Sequence, residues 1–171
     1  MVKYSEAVET VLTSFREGFR PPPDFTISEW ADLNRKLPRA SSGEPGLWRT
    51  SRTPYLREIM DEMSPRSRTV DVVVMKGSQI GYTEAIINAV MFFIAHAPCS
   101  MLLVQPTIDI AERFSKQRLQ PSLAECDSLK TKLIDNKSRA GGNTILQKDF
   151  PGGTLIIGGA NSAAALRSMP I

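Results

Sequence analysis

The chain has 171 residues, 42% of them hydrophobic, with 21 Lys+Arg against 18 Asp+Glu and a formal net charge of +3. That is the composition of a globular protein with a core, and it excludes a disordered acidic or basic tail. The length allows one domain with a sizeable core, or one domain with an N-terminal extension, and leaves little room for two catalytic domains, and the charge is too mild for composition alone to imply nucleic-acid binding.

Val8, Val11, Leu12 and Phe15 recur at three- and four-residue spacing. This predicts a helix over residues 1 to about 20, ended by Pro21-Pro22-Pro23. A second short helix is expected over Ser28 to Arg35 with Ser28 as its N-cap, then a loop over Pro38 to Pro45. A third helix, Pro54 to Met63, takes Thr53 as cap and Pro54 in its first turn. The character changes at residue 69. Val70 to Met75 is a nearly continuous valine-rich run, the pattern of a buried strand. A glycine-containing turn then leads into a helix from Thr83 to about His96. Ser100 to Val104 is expected as a second buried strand. A long helix from near Thr107 should kink or break before Pro121. Thr144 to Gln147 and Thr154 to Ile157 are predicted as two further strands joined by Pro151-Gly152-Gly153, and Ser162 to Arg167 as a closing helix. Strand, turn, helix, strand, helix is the order of an α/β fold with parallel strands. These elements divide the chain into a helical N-terminal extension, residues 1–68, and an α/β core, residues 69–171.

The longest apolar stretch, Ala85 to Ala97, contains Asn88 and His96 and is too short to span a bilayer. The first ten residues lack the apolar core of a secretory signal. Cys99 and Cys126 stand far apart, without CxxC or metal-ligand spacing, and read as buried or semi-buried reduced thiols of a cytoplasmic protein. His96 at a helix end is expected to be structural. Lys130, Lys132, Lys137, Arg139 and Lys148 form a locally basic region, partly offset by Asp127, Asp135 and Asp149, and are expected as solvated surface. Asp109 and Glu112 are spaced for one helix face, which the helix dipole alone explains.

The chemically informative stretch is Met75-Lys76-Gly77-Ser78-Gln79-Ile80-Gly81-Tyr82-Thr83-Glu84. It lies between an expected strand and an expected helix, where a phosphate loop belongs. Such a loop uses glycines so that backbone N–H groups fold around phosphates, a lysine for charge and a Ser/Thr hydroxyl for magnesium. Against the pattern G-x-x-x-x-G-K-[ST], Tyr82 holds the lysine position and Lys76 the first-glycine position. The lysine has moved to the far end of the loop, from which a long side chain can still reach across the turn. Gly77 and Gly81 would permit the tight path, Thr83 would offer its hydroxyl to Mg2+ and cap the helix, and Ser78, Gln79, Ile80 and Tyr82 would contribute mainly backbone N–H groups. An ordinary strand–turn–helix connection with an exposed lysine fits the same residues.

Further blocks accompany this loop: Ile27-Ser28-Glu29-Trp30-Ala31, Glu44-Pro45-Gly46-Leu47-Trp48-Arg49-Thr50, Thr53-Pro54-Tyr55-Leu56-Arg57-Glu58-Ile59-Met60, Val104-Gln105-Pro106-Thr107, Phe114-Ser115-Lys116, Phe150-Pro151-Gly152-Gly153, Gly159-Ala160-Asn161-Ser162 and Leu166-Arg167-Ser168-Met169-Pro170-Ile171. In this order, and with the displaced lysine, the chain resembles the N-terminal ATPase part of the large terminase subunit of tailed phages, in the lambda-like, GpA-type branch. The resemblance implies a P-loop NTPase core with an additional-strand, helicase-like parallel sheet, here incomplete. It implies ATP and Mg2+ as cofactors, with Lys76 at the β- and γ-phosphates and Trp48, Arg49 and Tyr55 near the adenine; packing of the N-terminal segment onto the core is the other reading of Trp48 and Tyr55. It also implies Gln105-Pro106-Thr107 and Gly159-Ala160-Asn161-Ser162 on the DNA side of the sheet.

The family packages double-stranded viral DNA into empty capsids. Its partners are a terminase small subunit, the portal protein of the prohead and other copies of itself, in the bacterial host cytoplasm and with no membrane. The family's acidic-pair strand and nuclease domain have no counterpart among these residues. The expectation is therefore a remnant or partial gene that does not turn over ATP by itself. A fragment of a helicase-like DNA-remodelling ATPase and a non-enzymatic remnant domain are the alternatives.

Overall fold

The computed structural model describes residues 2–19, 23–40, 42–130, 132–133 and 144–162. The expected closing helix, Lys137, Arg139 and most of the triproline lie outside these residues.

Helix α1 (Val2–Gly18) forms as its periodicity predicts, with Val8, Val11, Leu12 and Phe15 all exposed. Helix α2 (Ile27–Asn34) begins one residue earlier than expected and is capped by Thr26, not Ser28. The reason is local. Thr26 Oγ1 accepts from Glu29 N at 3.3 Å, and Glu29 Oε2 accepts from Thr26 N at 2.9 Å, a reciprocal capping box that Ser28 cannot form with Ala31 three residues on. Ser28 is instead buried inside the helix.

Strands β1 (Lys36–Leu37) and β2 (Gly46–Leu47) form a short antiparallel pair around the expected loop. A 3-10 turn, Thr50–Arg52, leads into α3 (Tyr55–Glu62). Thr53 supports α3 through its carbonyl, which accepts from Leu56 N at 2.9 Å, and not through a side-chain cap.

Helix α4 (Tyr82–Ala95) is the hub. Ala85, Ile87, Asn88, Ala89, Val90, Met91, Phe92 and Ile94 are all buried, and α2 and α3 both pack on it. A helix this apolar needs neighbours on most of its faces, and each large side chain it buries is stabilising by roughly 1.5–3 kcal/mol relative to exposure. Phe92 sits at the junction, with ring centroids 6.1 Å from Trp30 and 5.1 Å from His96. His96, expected to be structural, also packs against Phe25, with ring centroids 5.6 Å apart.

Strand β3 (Met101–Gln105) lies parallel to β5 (Gly153–Gly159), with Met101 opposite Leu155 and Gln105 opposite Gly159. Between them run α5 (Ile108–Phe114), a π-helical turn over Ser115–Leu119, α6 (Gln120–Glu125) and α7 (Asp127–Lys130). The expected break before Pro121 is this π turn. Strand β4 (Gln147–Phe150) pairs antiparallel with β5, so the described sheet, ordered β3-β5-β4, is mixed and not all parallel. The two-residue turn imposes that direction: Pro151 presets φ and Gly152 has φ 91°. β4 also starts later than predicted. Thr144 and Gln147 close on each other, through Thr144 N to Gln147 O at 2.9 Å and Gln147 N to Thr144 Oγ1 at 3.1 Å, which makes a turn of the expected strand.

The largest departure is Val70 to Met75. No strand forms, and Val70, Val73 and Met75 are 93%, 93% and 101% exposed. Valine content marks a segment as apolar, but a strand also needs a neighbouring edge to hydrogen-bond, and none of the described residues pairs with this one. Lys148 departs in the opposite sense. It is 4% exposed, donates to the Thr144 and Ile145 carbonyls, and burial lowers its pKa. Cys99 is exposed, while Cys126 is buried.

Asp127 accepts from Lys130 Nζ at 2.5 Å and Lys36 Nζ at 2.6 Å, which holds its carboxyl at about 2. A carboxyl lowered from an unfolded value near ~3.9 contributes stability at pH above that value. The contribution disappears as pH falls from about 4 through about 2. All these groups are at the surface, so the effect is small. Melting curves of wild type and Asp127→Asn should differ slightly at pH 6 and draw together as pH falls from about 4 towards 2; a difference that persists unchanged to pH 2 would disprove the linkage.

Candidate nucleotide-binding site

The loop from Lys76 to Gly81 runs into the N-terminus of α4. Two of its residues have positive φ, Gln79 at 58° and Gly81 at 82°. Gly81 is the N-cap, and no side chain caps the helix. Its carbonyl accepts from Glu84 N at 2.9 Å and Ala85 N at 3.3 Å. Thr83 is thus the second residue of α4 and not its cap; its exposed side chain stands free of that duty. The positive φ of Gly81 favours glycine here, while a Cβ would lie 3.4 Å from Leu56 Cδ1, at the edge of ordinary contact. Gly77 meets nothing within 4 Å, and its φ is not positive.

Lys76 is exposed and folds back over the loop. Its Nζ donates to Gly77 O at 3.3 Å and lies 5.6 Å from the centroid of the Tyr82 ring. The ammonium therefore sits over the first residue of α4, although its Cα is at the other end of the turn. Ser78, Gln79 and Ile80 form the turn between.

The 48–56 segment flanks the loop. Tyr55 Oη donates to Ile80 O at 3.0 Å, and Thr53 and Leu56 touch the Gly81 position. Trp48 is 6% exposed, with its indole N–H donating to Thr50 Oγ1 at 3.0 Å. Thr50 N in turn donates to Asp32 Oδ1 at 2.6 Å. One edge of Trp48, with the exposed Arg49, Asp32, Leu47 and Ser51, lines an open cavity of about 340 Å³.

A buried charge cluster holds the start of α4. Arg35 is fully buried and donates to Glu84 Oε2 at 2.8 Å, Asn88 Oδ1 at 3.1 Å, Ser122 Oγ at 2.8 Å and the Lys36 carbonyl. Glu84 Oε1 accepts from Arg118 at 3.1 Å. Burial lowers the Arg35 pKa and the Glu84 carboxylate opposes that shift. The cluster was not legible in the sequence. Arg35 sits at the end of a short polar helix, 49 positions from Glu84, and only the packing of α2, α4 and α6 brings them together.

An exposed lysine, a free hydroxyl and a helix N-terminus without a side-chain cap are a donor set that fits a polyphosphate. Among the described residues no cluster of three His, Cys, Asp or Glu could cage a metal ion.

The model of the phage terminase large subunit gpA ATPase domain matches residues 42–171, which takes in the flanking segment, the loop and all of α4. The chain belongs to this family. The terminase large subunit of Escherichia phage lambda is 34% identical over 144 residues, 84% of this chain and 22% of that protein. That of Enterobacteria phage P21 is 31% identical over 128 residues, 74% of this chain and 19% of that protein. The chain thus spans about a fifth of the length of these curated relatives. No solved structure matches it. Arg35 lies ahead of the gpA ATPase match yet anchors Glu84 within it. No helix among the described residues is long and apolar enough to cross a membrane.

Proposed function

We propose that this chain carries the phosphate-binding part of an ATP-driven motor that packages double-stranded viral DNA into proheads. Residues 69–171 would form the P-loop ATPase core, with the helicase-like sheet of that class, and residues 1–68 its helical extension. The observation that supports the reading is Lys76 Nζ at 5.6 Å from the Tyr82 ring at the start of α4, the end of the loop at which a displaced phosphate-loop lysine would have to act.

ATP supplies the transferable phosphoryl group. Gly77 to Tyr82 would present backbone N–H groups to the phosphates, and Lys76 would balance the charge on the β- and γ-oxygens. Thr83 would give its hydroxyl to Mg2+. Trp48 and Arg49 would flank the base side, with Tyr55 tying that segment to the loop. The partners of the complete motor would be viral DNA, a terminase small subunit, the portal protein and further copies of the same chain, in the cytoplasm of the bacterial host.

Lys76→Ala should weaken ATP–Mg2+ binding by about 1.5–3 kcal/mol, which is about 10- to 150-fold. Tyr82→Phe keeps both the backbone and the aromatic face and should bind as wild type does. Titration calorimetry on the purified proteins decides it. Unchanged affinity in Lys76→Ala would rule out the displaced lysine as a phosphate ligand.

A further inference from the structure

An open groove of about 550 Å³ lies between the 39–43 loop and the π-helical turn, and none of its described lining residues belongs to the phosphate loop. Arg39, Lys116 and Arg118 line it, with Ser42, Gly43 and Gln117 between them, and among the described residues no carboxylate does. The walls are fixed from behind. Ser115 is buried and donates to the Ile145 carbonyl, and Leu119 is buried in the core, so the extra residue of the π turn throws Lys116 and Gln117 outward. Opposite, Ser42 N donates to Pro38 O at 3.0 Å and holds the loop closed. Lys116 is paired with Glu112 at 3.0 Å on the rim, and Arg118 with Glu84 behind it. Arg39 is exposed and has no ion-pair partner among the described residues.

We infer that this groove is a docking surface for the phosphodiester backbone of nucleic acid. The inference deepens the packaging proposal by giving DNA a surface, and rests on it only for the choice of duplex. The lining favours this occupant over an acidic protein segment. Arginine, lysine, serine and glutamine side chains with backbone N–H groups are the usual donors to phosphate oxygens. A protein interface of this size is centred on aromatic or aliphatic anchors, and here the apolar side chains among the described lining residues are Ala40 and Pro121. Arg118 also ties the groove to the phosphate-loop helix, since its guanidinium reaches Glu84 beside Thr83.

The test measures binding of a mixed-sequence DNA duplex across a salt series, in wild type, the double variant Arg39→Ala/Lys116→Ala, and Arg66→Ala as a remote surface control. Arg118 is left intact because it holds Glu84. Removing one phosphate-neutralising side chain lowers the slope of log affinity against log salt by about 0.9. The double variant should therefore have a slope smaller by roughly 2 and bind at least tenfold more weakly at low salt, with an unaltered melting curve, while Arg66→Ala behaves as wild type. Wild-type binding that the double variant retains would overturn the groove and leave the packaging proposal standing. No duplex binding by wild type would overturn the groove assignment and count against packaging, whereas nucleotide binding is judged separately through Lys76. Displacement of duplex by inorganic phosphate at constant ionic strength, or a preference for polyglutamate that the double variant abolishes, would overturn it in favour of a small-anion or acidic-protein site.

Discussion

Replacing Arg35 with methionine should cost about 3–5 kcal/mol of folding stability, the usual effect of breaking a buried ion pair by removing one partner. The change also strands acceptors on three other groups, Asn88 Oδ1, Ser122 Oγ and the Lys36 carbonyl. Buried acceptors left without donors cost roughly 1–3 kcal/mol each before relaxation. Chemical denaturation of Arg35→Met, Glu84→Leu and the double variant closes a cycle. The double variant should be more stable than the sum of the singles implies, by about 0.5–3 kcal/mol, because it leaves no lone charge in the core. Strict additivity would mean that Arg35 and Glu84 do not act as a pair. Function should follow stability here, since Glu84 is in the first turn of α4, directly after Thr83.

Phe92→Ala should be of similar size, about 3–5 kcal/mol, and should lower the thermal midpoint by roughly 10 °C or more. The Phe92 ring is 1% exposed and stands between Trp30 on α2 and His96 at the end of α4, with Phe93 edge-on at 5.5 Å. Truncation opens a cavity at the junction that joins the N-terminal helices to the hub. The α2 wall resists collapse, because α2 is pinned by Ile27 N to Ser64 Oγ at 2.8 Å and by its capping box. A midpoint within about 2 °C of wild type would show that this junction does not carry the stability assigned to it.

The two variants differ in how far their environments could be read in advance. Phe92 belongs to an apolar run whose burial is written in its own neighbours. Nothing within ten residues of Arg35 indicates that its guanidinium is buried. The same division separates Lys148, taken for a surface cation and found among carbonyls, from Asp127, whose partner Lys130 is three positions away.

What this sequence determined by itself is local. The α4 helix, the capping box from Thr26 to Glu29 (read two residues late, at Ser28), the Pro151-Gly152 turn and the break before Pro121 each depend on interactions within a few residues, and the short-range chemistry of the chain contains them. The glycine-bearing loop ahead of α4 was legible for the same reason, as were the ordered blocks that tie the chain to its family. The tertiary structure alone decided which segments found partners. It left the valine-rich run Val70 to Met75 without a strand partner among the described residues, turned β4 antiparallel to β5, and gathered Arg35, Glu84 and Arg118 from three separate parts of the chain. Strand pairing and charge burial are set by groups tens of residues away. Hydrophobicity along the chain records that a segment is apolar, and folding decides which edge or carboxylate meets it.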